Sequence, residues 1–133
     1  MYMLDTNICI DMIRRPASRV FGRIQQVQPG DIAISTITLA ELECGVHKSS
    51  NPARNARLLI EVCSVLEILP FDDNAAAAYG IVRSQLESKG IPIGPLDALI
   101  AAHAFSLNIT LVTNNMGEFK RIKGLKLENW IRC

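Results

Sequence analysis

Aromatic residues are scarce in this chain of 133 residues, with one Trp, two Tyr and four Phe, so the core is expected to be aliphatic, built from Ile, Leu, Val and Ala. Charge of one sign is also missing. Fourteen basic residues against thirteen acidic ones leave a formal +1, which excludes a strongly cationic coat for nucleic acid but leaves room for a local basic patch. No apolar run is long enough to span a bilayer and no secretory hydrophobic region precedes Asp5, so no membrane partner is expected. Cys9, Cys44, Cys63 and Cys133 show neither C-x-x-C spacing nor adjacent histidines, which argues against a zinc site. Cys9, Cys44 and Cys63 fall in expected helices, where free thiols act as small hydrophobes. A reducing cytoplasm is the simplest compartment. There is no phosphate-binding glycine loop, no G-x-S-x-G elbow, no internal repeat and no linker.

What is present is an alternation of short apolar runs with helical stretches. Strands are expected at Tyr2–Leu4, Ile32–Ser35, Val65–Leu69 and Ile109–Val112, with a weaker fifth at Leu125–Leu127. Helices are expected at Thr6–Ile13, Ala17–Gln26, Leu39–Lys48, from Pro52 to about Cys63, at Asn74–Lys89 and at Leu96–Ser106. Asn51 and Asp72 stand as caps, and Gly90 as a stop. The helix Leu96–Ser106 is almost wholly apolar and alanine-rich, which marks it as the buried central helix. The pattern predicts one α/β domain over 1–133, with a mostly parallel central sheet flanked by helices on both faces. A chain of this length can bury roughly two thirds of its unfolded surface without disulfides.

Four acids recur in similar settings. Asp5 ends the first strand, Glu41 follows Ile32–Ser35, Asp97 follows Pro95, and Glu118 follows Leu111-Val112-Thr113-Asn114-Asn115. If the strands are parallel, these acids gather at the carboxyl edge of the sheet, where open α/β folds keep their sites. Each also has a plainer reading. Asp5 can cap the helix after it. Thr38-Leu39-Ala40-Glu41 matches a capping box, and Glu118 can be a solvated surface acid. Asp97 gains from a helix dipole, but its apolar surroundings make an unpaired carboxylate costly. Four carboxylates at one edge would repel unless a divalent cation held them, and hard oxygen ligands favour Mg²⁺ or Mn²⁺ over zinc. Phosphodiester hydrolysis is the natural chemistry for such a centre. Thr6, Asn7, Thr113 and Asn114 lie beside the acids and could orient a carboxylate or a water, although capping and turn formation also account for them. His47 is expected at the surface and His103 in the packing.

Met3-Leu4-Asp5-Thr6-Asn7-Ile8, Thr38-Leu39-Ala40-Glu41-Leu42-Glu43-Cys44-Gly45, Gly94-Pro95-Leu96-Asp97-Ala98-Leu99-Ile100-Ala101-Ala102 and Leu111-Val112-Thr113-Asn114-Asn115-Met116-Gly117-Glu118-Phe119 together resemble the four acidic segments of PIN-domain proteins, in order and spacing from Met3 to Trp130. The short length and the Thr-Asn-Asn-x-x-Glu-Phe ending look most like the VapC-type toxins of bacterial type II toxin–antitoxin pairs. The resemblance implies a Mg²⁺-dependent endoribonuclease, with Mn²⁺ able to substitute, that cuts structured RNA, chiefly tRNA in the anticodon region, and so inhibits translation.

Carried over by position, Asp5 and Asp97 are the metal ligands, and Asp5, Glu41, Asp97 and Glu118 the catalytic set. Many PIN domains place an Asp soon after the Thr of the last strand. Asn114 and Asn115 stand there in this chain, which leaves Glu118 as the fourth carboxylate. The resemblance further implies a cognate antitoxin, a homodimer, and contact with operator DNA only through that antitoxin. Arg14, Arg15, Arg19, Arg23, Lys120, Arg121 and Lys123 are candidates for RNA phosphates, each with an alternative as a solvated charge. A second class of reading, a non-catalytic interaction module with the same fold, is opposed by the presence of all four acids. A receiver-like phospho-acceptor would need an acidic pair before its Asp and a late Lys. A haloacid-dehalogenase-type phosphatase would need D-x-D where Asn7 stands.

Overall fold

The computed structural model describes residues 1–15 and 19–131; Cys133 and the expected start of the second helix at Ala17 lie outside them. The elements run β1 (Tyr2–Leu4), α1 (Thr6–Arg14), α2 (Arg19–Gln26), β2 (Ile32–Ser35), α3 (Thr36–Lys48), α4 (Pro52–Cys63), β3 (Glu67–Leu69), α5 (Asp73–Ser88), α6 (Pro95–Leu107), β4 (Thr110–Val112), α7 (Met116–Phe119) and β5 (Leu127–Glu128). The strands form one sheet in the order β3-β2-β1-β4-β5, every neighbouring pair parallel. The expected α/β architecture is therefore observed, with a sheet that is parallel throughout.

Alternation along each strand sends side chains to opposite faces, and two cores result. Leu4, Ile32, Ile34 and Val112 pack with Ile8, Met12, Val20, Leu42 and Leu59 from α1 to α4. Met3 and Leu111 pack on the other face with Val82, Leu86, Ile100, Ala101, Phe119 and Ile122, from α5 to α7 and the turn beyond. Helices α5 and α6 associate closely because both present alanines, with Ala75, Ala78, Ala98, Ala101, Ala102 and Ala104 all buried. Helix α6 is the buried central helix that its composition predicts.

Three element starts differ by two residues or more from the sequence expectation, each for a local reason. Helix α3 begins at Thr36 rather than Leu39, because Ser35 caps it, its Oγ accepting from the Ile37 N–H at 3.1 Å. The β-branched run Thr36-Ile37-Thr38 hides that start, since such residues favour strands. Strand β3 begins at Glu67 rather than Val65. The amides of Val65 and Leu66 turn back onto the carbonyls of Val62 and Cys63 and close the end of α4. The last strand lies at Leu127–Glu128 because the turn at Gly124, with φ of +83°, still occupies Leu125.

Candidate active site

Strand β1 is central, and the chain builds outward from it to β2 and β3 on one side and to β4 and β5 on the other. The crevice beyond the carboxyl ends of β1 and β4 is thus a topological switch point, the place where such sheets bind ligands. Asp5 stands there. Its amide donates to the Val112 carbonyl at 3.0 Å, which pins the backbone to β4. Its Oδ1 accepts from the Ile8 N–H at 2.9 Å, so Asp5 is the N-cap of α1 as well as a site candidate. The residue is only 3% exposed. Burial pushes its carboxyl up to about 6; hydrogen bonds from Thr113 and from the Ile8 amide oppose that rise, and the charges of Asp97 and Glu41 add to it.

Asp97 lies in the first turn of α6, after the N-cap Gly94 and Pro95. It is half-buried, and its carboxyl is also raised, first by desolvation and then by Glu118 and Glu41. Asp97 thus lies within electrostatic reach of the other three acids, Asp5, Glu41 and Glu118. Among the described residues no lysine or arginine forms an ion pair with Asp5 or Asp97.

Glu41 overturns the capping-box alternative. With Ser35 as the cap, Thr38 and Glu41 both belong to the body of α3. The Glu41 side chain turns across to α1 instead, where its Oε1 accepts from the Thr6 hydroxyl at 2.6 Å. Glu118, on the short helix α7, accepts at Oε2 from the Asn115 amide at 2.7 Å, and Asn115 N–H donates to Thr113 Oγ1 at 2.9 Å. Thr113 thus bonds both the acid of β1 and the turn that carries the fourth acid. Asn114 faces away, exposed and bonded through Oδ1 to Asn129 at 3.1 Å, and Asn7 is exposed. Of the four polar neighbours singled out in the sequence, Thr6 and Thr113 meet the acids. Asn115, not Asn114, is the amide that holds one.

Two residues with a bearing on the site were read from sequence only as structural. Thr38 is fully buried with its Oγ1 3.3 Å from that of Thr6. His103, buried as expected, has Nδ1 2.8 Å from Ser35 Oγ and so ties α6 to the cap of α3; burial lowers its pKa. No local pattern marks these pairings, which join residues 32 and 68 positions apart.

The basic candidates divide. Arg23 is engaged with Glu128 at 3.3 Å and lies over the Trp130 ring, Arg121 donates to the Pro92 carbonyl at 2.9 Å, and Arg15 stands 3.8 Å from Asp11. Arg14 lines a hollow that also borders Glu41, with Ile10, Ile13, Leu42 and Val46. Among the described residues it is a basic candidate that borders the same cavity as one of the acids.

Among the described residues no three acidic, cysteine or histidine side chains draw close enough to form a closed cation cage. That suits Mg²⁺, which keeps several of its waters and binds through one or two carboxylates together with substrate phosphate. Asp5 and Asp97, oxygen donors with no lysine or arginine ion pair among the described residues, have the chemistry for it.

The PIN domain family model matches residues 2–125. The chain is 47% identical over 130 residues to the Ribonuclease VapC2 of Rickettsia felis, covering 97% of both proteins. It is 42% identical over 129 residues to the tRNA(fMet)-specific endonuclease VapC of Salmonella typhimurium, again covering 97% of each. Among solved structures, VapBC2 from Rickettsia felis bound to a promoter DNA fragment superposes with a TM-score of 0.92 at 46% identity, covering 97% of this chain and 98% of that one. The DNA-bound VapBC of Salmonella typhimurium gives 0.93 at 42% identity, covering 97% of each. The parallel sheet with its helical layers is the fold of a PIN domain. The chain belongs to the PIN-domain family, among its VapC-type members.

Proposed function

We propose that this protein is the toxin of a type II toxin–antitoxin pair, a Mg²⁺-dependent endoribonuclease that cuts tRNA in the anticodon region and so inhibits translation in the cytoplasm. The observation that carries the reading is Asp5, a carboxylate almost fully buried at the switch point, opposed by the charges of Asp97 and Glu41 and in no ion pair with a lysine or arginine among the described residues. A fold has little reason to keep such a group for stability. The ribonuclease names of relatives with matching length support the chemistry.

Asp5 and Asp97 would hold the cation, which when bound supplies a more acidic water and neutralises charge on the phosphoryl group. The chain's own residues set the stage for hydrolysis. Thr113 and the Ile8 amide fix the Asp5 carboxylate, Thr6 aims Glu41, and Asn115 aims Glu118. Glu41 and Glu118 would then be fixed oxygen acceptors facing the cation and its waters, the attacking water among them. Arg14, which lines the same hollow as Glu41, would meet an RNA phosphate.

A nearly neutral chain lacks the field to grip long nucleic acid, so selectivity should come from a local shape such as a loop with exposed bases. Support for an antitoxin partner, and for operator contact made through it, comes from the similarity to VapBC assemblies solved with DNA. Mn²⁺ should substitute for Mg²⁺, and the free toxin should be a homodimer.

The test is cleavage mapping on total cellular RNA with the purified protein and its Asp97→Asn variant. One or a few discrete tRNA sites, present with wild type and absent with the variant, are expected. Wild-type-like cleavage by Asp97→Asn, indiscriminate decay of all RNA, or a requirement for duplex DNA would overturn the reading.

A further inference from the structure

The Thr6 hydroxyl has two oxygen neighbours, Glu41 Oε1 at 2.6 Å and Thr38 Oγ1 at 3.3 Å. A hydroxyl carries one proton. The shorter contact is to a carboxylate oxygen, which can only accept, so that proton belongs to Glu41. The Thr38 contact must then run the other way, with Thr38 donating to Thr6. The three side chains form a directed chain, from Thr38 on α3 to Thr6 on α1 and back to Glu41 on α3. Thr38 is completely buried and Thr6 is 8% exposed, so water does not readily replace either hydroxyl. Thr38 and Glu41 stand three positions apart on α3, close to one helical turn, so both side chains face α1 together.

We infer that Thr38 is a positioning residue for the pocket: by occupying the acceptor side of the Thr6 hydroxyl it commits the Thr6 proton to Glu41 and fixes that carboxylate toward the cation. The inference rests on the metal-dependent reading above and deepens it. Without the Thr38 donor, the Thr6 hydroxyl is free to rotate, and Glu41 loses its fixed partner for part of the time. Outer residues that orient metal-pocket ligands typically matter by about 10- to 100-fold in metal affinity or activity. The length of the Thr38 contact puts the expected effect at the lower end.

The experiment is a calorimetric titration of the metal-stripped protein with Mn²⁺, with melting temperature recorded alongside. Thr38→Val deletes the hydroxyl at nearly constant shape, and Thr38→Ser keeps it. Thr38→Val should weaken Mn²⁺ binding by about tenfold while Thr38→Ser stays near wild type. In a Glu41→Gln background, Thr38→Val should cause no further loss, because coupled residues are non-additive. A purely structural Thr38 would lower the melting temperature in both backgrounds and leave affinity alone; that result overturns the inference. Thr38→Ala serves the same comparison if Thr38→Val does not fold. Asp97→Asn separates the two levels. If it abolishes binding while Thr38→Val leaves binding unchanged, only the positioning role fails. If wild type itself takes up no Mn²⁺, the metal reading fails and the inference falls with it.

Discussion

Replacing Asp5 by Asn should make the metal-free protein more stable at neutral pH, and the gain should vanish in acid. Asn caps a helix about as well as Asp, so the bond to the Ile8 amide need not be lost with the charge. The carboxyl of Asp5 is moved from 3.8 to about 6 on folding, chiefly by burial. A raised carboxyl means that the folded state holds its proton more tightly than the unfolded chain. Its contribution is fully present below the unfolded value and is lost as pH rises through the folded one. At 1.36 kcal/mol per pH unit, ionising Asp5 costs the folded protein roughly 3 kcal/mol by neutral pH. For a domain of this size that corresponds to roughly 10 °C in melting temperature. The assay is a set of thermal melts of wild type and Asp5→Asn in chelator, between about pH 4 and pH 8. The two curves should converge at the acid end and separate steadily toward neutrality, with the variant higher. Added Mg²⁺ or Mn²⁺ should raise wild type more than the variant, because a ligand that binds only the folded state stabilises it. Parallel curves across the whole pH range would refute the argument, since they would mean that Asp5 keeps its charge in the fold at no cost.

Two further expectations follow from the same geometry. Glu41→Gln keeps an oxygen to accept from Thr6 but removes the charge; it should fold as wild type and lose most RNA cleavage, and normal cleavage by the purified variant would reduce Glu41 to a structural link between α3 and α1. Light scattering of the isolated chain at tens of micromolar should show a symmetric dimer, the commonest oligomeric arrangement, and a monomer throughout that range would count against it.

The sequence makes the parallel sheet and its helical layers legible because both rest on local periodicity. The apolar triplets of β1 and β4 and the alanine-rich α6 announce themselves, and so does the gathering of acids at one edge, since each follows its element directly. What was not legible depends on encounters across the fold. Glu41 matches a local cap in sequence, but Ser35 reaches the helix start first and frees it for Thr6. Asn114 and Asn115 are indistinguishable as letters, and only the turn after Thr113 sends one outward to Asn129 and the other onto Glu118. The early end of the Val65–Leu69 run is likewise decided by the exit of α4 rather than by composition.

The two hydrophobic cores give the pocket a divided ownership. Glu41 stands on a helix whose Leu42 packs on one face of the sheet, while Asp97 stands on a helix whose Ile100 and Ala101 pack on the other. Neither core alone sets the span between the acids. The register of one layer against the other does, through β1 and β4 and the clasp from His103 to Ser35. A repacking deep in either core, with no contact to RNA or cation, therefore alters the aperture of the pocket from its own side. Variants that lose activity without touching the acids should sort by layer, one group displacing Glu41 and the other Asp97.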